Sequence, residues 1–160
     1  MDLTNTCDLA AYPMLSSLGP EPLSKAFTAR TMIKNLTNLS SPIKPILLNQ
    51  RIVAGLGNIY ACEALYQAKL SPRRRASSIR GKRAENLVTA IKSILNKAIA
   101  AGGSTLRDYQ HTDGKLGYFQ NAHAVYGRFG ELCPRCTCTQ GIKKIIQSGR
   151  STFFCSKYQI

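Results

Sequence analysis

Acidic residues are scarce in this chain. Only 8 Asp and Glu stand against 22 Lys and Arg, a formal charge of +14 with a sequence pI near 9.9. That imbalance points to a polyanionic partner, most simply DNA or RNA. A solvated basic surface with no specific target is the plain alternative. Long apolar runs are also lacking: none reaches the roughly 18 to 20 residues of a membrane span. Nor is there a secretory signal. Asp2 and Asp8 sit where its positive region would stand and no apolar core follows, so a cytoplasmic location is expected. There is no internal repeat and no low-complexity tract. The only histidines, His111 and His123, have no cysteine at ligand spacing, and surface or packing roles are expected of both.

With 160 residues, 44% of them hydrophobic, the chain can form one domain or two small ones around a modest core. Of its six cysteines, four crowd between positions 133 and 155. In a reducing compartment, such clustering reads as metal ligation before it reads as disulfides. A metal would also help stabilise a small fold. Cys7 and Cys62 stand apart, and Cys62, on an apolar helical stretch, reads as a small core residue.

The pattern along the chain predicts a mainly α protein with a small C-terminal β-hairpin. Residues 1–42 read as an irregular, linker-like segment with a possible short helix at 25–36. Residues 43–122 form the helical part. Pro45 opens a helix running to about Ile52, and Asn58 caps a second over 59–68. Ser71, Pro72 and the run Arg73-Arg74-Arg75 make a basic loop. A third helix over 83–101 carries an apolar stripe at Leu87, Ile91, Ile94, Leu95 and Ala98, and stops at Gly102-Gly103. Residues 104–122 read as loop. In the last part, 123–160, the pattern turns to β after Val125, and 142–147 pairs with 151–154 across Ser148-Gly149.

Two devices carry chemistry. At Gly55-Leu56-Gly57-Asn58, glycines lacking side chains allow close approach to a helix N-terminus, whose unpaired N–H groups and dipole favour phosphate. Asn58 adds an amide donor and Lys44 a full charge. The bland reading is a tight corner between helices. The second device is the cysteine-bounded hairpin, which would hold Arg150 at a fixed tip against a backbone phosphate. Basic loops are mostly solvated, so Arg73, Arg74 and Arg75 are left out of the candidate site, and for Tyr118 and Phe119 packing is at least as good a reading as base stacking.

These residues resemble the formamidopyrimidine-DNA glycosylases. The resemblance runs through Leu18-Gly19-Pro20-Glu21-Pro22-Leu23, Ile43-Lys44-Pro45, Val53-Ala54-Gly55-Leu56-Gly57-Asn58-Ile59-Tyr60, Glu63-Ala64-Leu65 and Leu70-Ser71-Pro72. It continues through the motifs beginning at Gly102, Asp113 and Val125, and ends in the hairpin from Gln147 to Cys155. It implies a helix-two-turn-helix module, a zinc finger, and base-excision repair of DNA containing oxidised purines or abasic sites. Within it, Lys44, Asn58 and Arg150 match positions that grip phosphates around a flipped lesion, and Lys115, in the segment 113–121, matches the loop covering the extruded base. The other reading is a structural, ribosomal-type RNA-binding protein.

The chain departs from that family in two places. The family nucleophile is an N-terminal proline amine followed by glutamate at the head of a β-sandwich, and this sequence opens Met1-Asp2-Leu3. It therefore reads as the C-terminal half, with no catalytic residue of its own, truncated and inactive in isolation or working with a separately encoded N-terminal half. No sequence feature marks a lysine as desolvated or activated. The zinc site is altered too. The family hairpin has sixteen residues between its cysteine pairs; here sixteen separate Cys138 from Cys155, but eighteen separate Cys136 from Cys155. Register thus favours Cys138 beside Cys133, and Tyr158 stands where the fourth family cysteine is expected. Three outcomes stay open: Cys136 completes the set, zinc is held more weakly, or the hairpin is metal-free.

Overall fold

The computed structural model describes residues 13–103 and 122–160. Helices α1 (Pro13–Ser16), α2 (Ala29–Leu36), α3 (Ile43–Leu47), α4 (Asn58–Gln67) and α5 (Lys82–Ala100) precede an antiparallel hairpin of β1 (Lys143–Gln147) and β2 (Arg150–Phe154). The expected class, mainly helical with a small terminal hairpin, is what forms.

Local chemistry sets the boundaries. The helix expected from residue 25 starts at Ala29, because Thr28 is extended and its hydroxyl accepts the Thr31 amide at 3.2 Å. The helix expected over 45–52 is a short one over Ile43–Leu47. It stops early because Asn49 and Gln50 turn their side chains onto the backbone: Asn49 Oδ1 accepts the Arg51 amide, and Gln50 Oε1 accepts the Gly55 amide at 2.6 Å. Helix α5 comes within a residue of its expected span. Its end is a Schellman closure, with the Gly103 amide on the Ala98 carbonyl and Gly102 and Gly103 both at positive φ. Helix α4 closes the same way with a non-glycine residue, Lys69 at φ 59°. The hairpin turn is Ser148-Gly149, both residues left-handed, as the twist of a two-residue connection requires. The β character expected after Val125 does not materialise until Lys143; before that the chain runs in turns, with a lone bridge between Phe129 and Ile142.

The main core joins α2 to α5. Leu87, Ile91, Ile94 and Ala98 of the predicted stripe are buried, and Leu95 packs half-buried against them. Phe27, Met32 and Leu36, from the stretch read as linker-like, lie in the same core. A second cluster fastens the finger to α4: Cys62 and Tyr66 pack with Val125, Cys133, Ile142, Phe153 and Cys155. Cys62 is the core residue expected of it.

Two polar ties fix the finger to the helices. At its entrance the buried Glu63 carboxylate accepts the amides of Ala124, Val125 and Tyr126 at 2.9, 2.9 and 2.8 Å. At its exit the buried Gln159 accepts the Cys155 amide and donates to the Leu70 carbonyl. Replacing Glu63 with alanine leaves three inward-facing amides without an acceptor. We expect Glu63→Ala to cost about 3 kcal/mol, read as a lowered urea midpoint; an unchanged midpoint would show that the carboxylate does not hold the finger.

Candidate nucleic-acid interface

Three separate elements meet at one carbonyl. Asn58, at the start of α4, donates its Nδ2 to the Ser151 oxygen at 3.0 Å, and Lys44 of α3 brings its Nζ to 3.5 Å from the same oxygen. Ser151 follows Arg150, whose exposed side chain leaves the hairpin next to the turn. Lys44, Asn58 and Arg150 thus come together on one side of the molecule.

The details differ from the sequence expectation. Asn58 does not cap α4; the cap position belongs to Gly57, with no side-chain bond. The second Asn58 amide contact is to the Tyr126 hydroxyl at 3.2 Å, so both donor positions are engaged while Oδ1 is buried without a partner. This fixes the amide's orientation, since a flip would set Oδ1 against the Ser151 oxygen. Of the two glycines only Gly55 needs its freedom, at φ 73°. Gly57 has ordinary angles, and nothing lies within 4 Å of where its Cβ would be, which leaves the helix start open to a backbone from outside.

Lys44, expected to add a full charge at this place, has its side chain covered. It is fully buried, and desolvation lowers its pKa, with the Arg150 charge adding to the effect and Cys62 opposing it. One lysine is therefore desolvated, a property that no feature of the sequence marks. Tyr126, which follows Val125 in the motif that begins there, is a site residue that the sequence does not single out. Its ring meets Phe153 edge-on at 5.0 Å, its amide rests on Glu63, and its hydroxyl touches Asn58. A hydrogen bond across 68 residues leaves no local signature in sequence. Lys115 and the segment 113–121 lie outside the described residues.

The thiols of Cys133, Cys136, Cys138 and Cys155 lie within 4.8 Å of one another, with Cys136 and Cys138 at 2.9 Å and each of these 3.5 Å from Cys155. A tetrahedral site with Zn–S bonds of about 2.3 Å needs sulfur separations of about 3.8 Å, so this donor set fits zinc after small shifts. Burial opposes ionisation of Cys133, but hydrogen bonds from the Tyr66 hydroxyl and the Arg135 amide bring its pKa down to about 7. Cys136 joins the set, whereas Tyr158 lies beside it: its ring packs on Tyr66 at 4.9 Å beneath the Lys69 ammonium.

Residues 18–110 match the formamidopyrimidine-DNA glycosylase H2TH domain. The chain belongs to this glycosylase family. It is 54% identical over 163 residues to a formamidopyrimidine-DNA glycosylase of Rhodospirillum centenum, covering 99% of this chain and 56% of that protein. A Rhodospirillum rubrum relative of the same description is 55% identical over 152 residues, covering 92% and 54%. Among solved structures, the MutM (Fpg) protein of Thermus thermophilus superposes with TM-score 0.86 at 45% identity, over 95% of this chain and 57% of that one. Lactococcus lactis Fpg in complex with DNA containing an abasic site gives 0.86 at 39%, over 96% and 56%. The chain spans about half the length of the curated relatives it matches. Among the described residues no helix is long and apolar enough to cross a membrane.

Two expectations follow from this glycosylase-family site. Because burial lowers the Lys44 pKa from 10.5, the folded chain holds fewer protons than the unfolded one between the lowered value and 10.5; stability from this residue rises with pH across that window. Lys44→Met should therefore raise the melting temperature near neutral pH and remove the alkaline gain, whereas a lower melting temperature would mean the amine is net stabilising. Separately, Cys136→Ser should lower zinc bound per chain or its affinity, and Tyr158→Phe should leave both unchanged, as measured by competitive chelation. The reverse result would assign the fourth ligand to the phenol.

Proposed function

We propose that these residues form the DNA-gripping half of a formamidopyrimidine/8-oxoguanine DNA glycosylase and abasic-site lyase, acting in cytoplasmic base-excision repair. The observation that supports this most is the convergence of Lys44 and Asn58 on the Ser151 carbonyl, next in the chain to Arg150. Three elements far apart in sequence present cationic and amide groups to one place, beside an open helix start, in a chain of net charge +14. The likeness to Fpg solved with abasic-site DNA points to the same partner.

Arg150 supplies a forked, always-charged contact to a phosphate at the hairpin tip. Asn58 releases Tyr126 to donate to a neighbouring phosphate oxygen, and the Tyr126 hydroxyl, freed of that contact, donates beside it. Lys44 sits behind them and sets a positive potential that low dielectric strengthens. Lys115 belongs to the loop that covers the extruded base. Cys133, Cys136, Cys138 and Cys155 hold one zinc ion that stiffens the hairpin root, and with four thiolates available its affinity does not depend on Tyr158. None of these residues takes a catalytic role. Base excision draws its nucleophilic amine from an N-terminal glycosylase half, joined in one polypeptide or separately encoded.

The test is binding of the 160-residue chain to duplex DNA carrying an abasic site, against structured RNA. If about three phosphates are contacted, log K should fall against log salt with a slope near −2.7. Asn58→Ala and Arg150→Ala should each weaken binding irrespective of sequence, and borohydride should trap no covalent adduct. Preference for RNA, or a flat salt response, would defeat the proposal; trapping would show a reactive amine within these residues.

A further inference from the structure

The basic loop after α4 lies beside the phosphate-gripping site. The Gln147 residue that pairs with Arg150 in the hairpin register donates its Nε2 to the Pro72 carbonyl at 3.2 Å. The Lys44 amide faces the same carbonyl at 3.5 Å, and the Ile43 amide donates to the Arg74 carbonyl at 2.7 Å. The loop is thus tied both to the hairpin that carries Arg150 and to the helix that carries Lys44.

Its backbone is held along its length. The Arg74 amide bonds the Ser71 carbonyl, the Ser78 hydroxyl bonds the Arg75 carbonyl at 2.7 Å, the Ala76 amide bonds Ser41, and Pro42 bridges Arg75. Such a loop loses little entropy in presenting its side chains. Ser71, Arg73, Arg74, Arg75 and Ser78 line an open concavity of about 450 Å³. Arg73 and Arg75 are exposed, and Arg74 is half-buried with its Nε on the Ile160 main-chain oxygen at 3.2 Å. Among the described residues the two side-chain ion pairs are Lys82 with Glu85 and Arg128 with Glu131, so no Asp or Glu neutralises Arg73 or Arg75, while Arg74 is engaged by the Ile160 oxygen. Arg73 and Arg75, like charges on one short loop, repel each other unless an anion comes between them.

We infer that this loop is a second phosphodiester-binding station, in which Arg73 and Arg75, with the Ser71 hydroxyl beside them, take the DNA backbone beyond the phosphates held at Arg150. The inference rests on the DNA-binding reading above and extends the footprint along the same face. Guanidinium forks suit phosphate oxygens, and the Ser71 hydroxyl, which accepts the Arg73 amide, keeps its proton to donate.

The experiment compares the 160-residue chain with Arg73→Ser/Arg75→Ser and with Lys82→Ser/Arg83→Ser, two exposed cations at the start of α5 that remove the same charge. Binding to a duplex carrying an abasic site is measured across a salt series, with circular dichroism confirming the fold. The loop variant should bind roughly tenfold or more weakly at low salt, with a slope shallower by about 1.8, the value for two lost phosphate contacts. The control should keep more of both affinity and slope. Equal losses in the two variants would reduce the effect to net charge and overturn the inference. An unaltered loop variant would overturn it while leaving DNA binding intact. Failure of the unsubstituted chain to bind would instead bring down the underlying DNA-binding reading and the inference with it.

Discussion

The Glu63 carboxylate is the constraint from which the interface follows. One buried anion on α4 collects three consecutive amides of the segment entering the finger, two of them on a single oxygen. This pins Tyr126, whose hydroxyl then meets Asn58 one and a half turns earlier on the same helix. Asn58 in turn reaches Ser151, and Ser151 carries Arg150. Each link is an ordinary hydrogen bond of modest net strength. Their value is geometric, since together they set the arginine tip in a fixed relation to the start of α4.

The same cluster illustrates a trade between stability and binding. A lysine with no solvent exposure, a buried amide oxygen with no donor and a neighbouring guanidinium are all unfavourable for the isolated chain. Packing elsewhere, in the core of α2 to α5 and in the cysteine cluster, keeps them in place. Groups held at such a cost are positioned before any polyanion arrives, which spares the complex much of the reorganisation that flexible side chains would require.

Much of this was legible in advance, and for identifiable reasons. Helix α5 declares itself through a period-3.6 stripe and a double-glycine stop, and the hairpin through its left-handed turn pair. Four thiols within 23 positions announce a cysteine cluster, and the structure does bring all four together. What the sequence could not show is long-range: that Cys136 joins the thiol set, that Tyr158 is engaged by Tyr66, and that Asn58 reaches across the molecule instead of capping its own helix. Lys44 is the sharpest case. Its place at the start of a helix says nothing of burial, and the hairpin that meets its ammonium group at Ser151 lies more than a hundred residues later.

The Gln159 strap has a mechanical corollary. With Glu63 gripping one leg and Gln159 the other, the finger is a loop stitched down at both feet, not a flap on a single hinge. A force pulling on the hairpin tip therefore divides between the middle of α4, at Glu63, and Leu70 just past its C-terminal end, and the helix answers as a beam loaded at two points. Bending strain applied at the tip would then be delivered to the helical body as a whole instead of being absorbed by a swinging appendage.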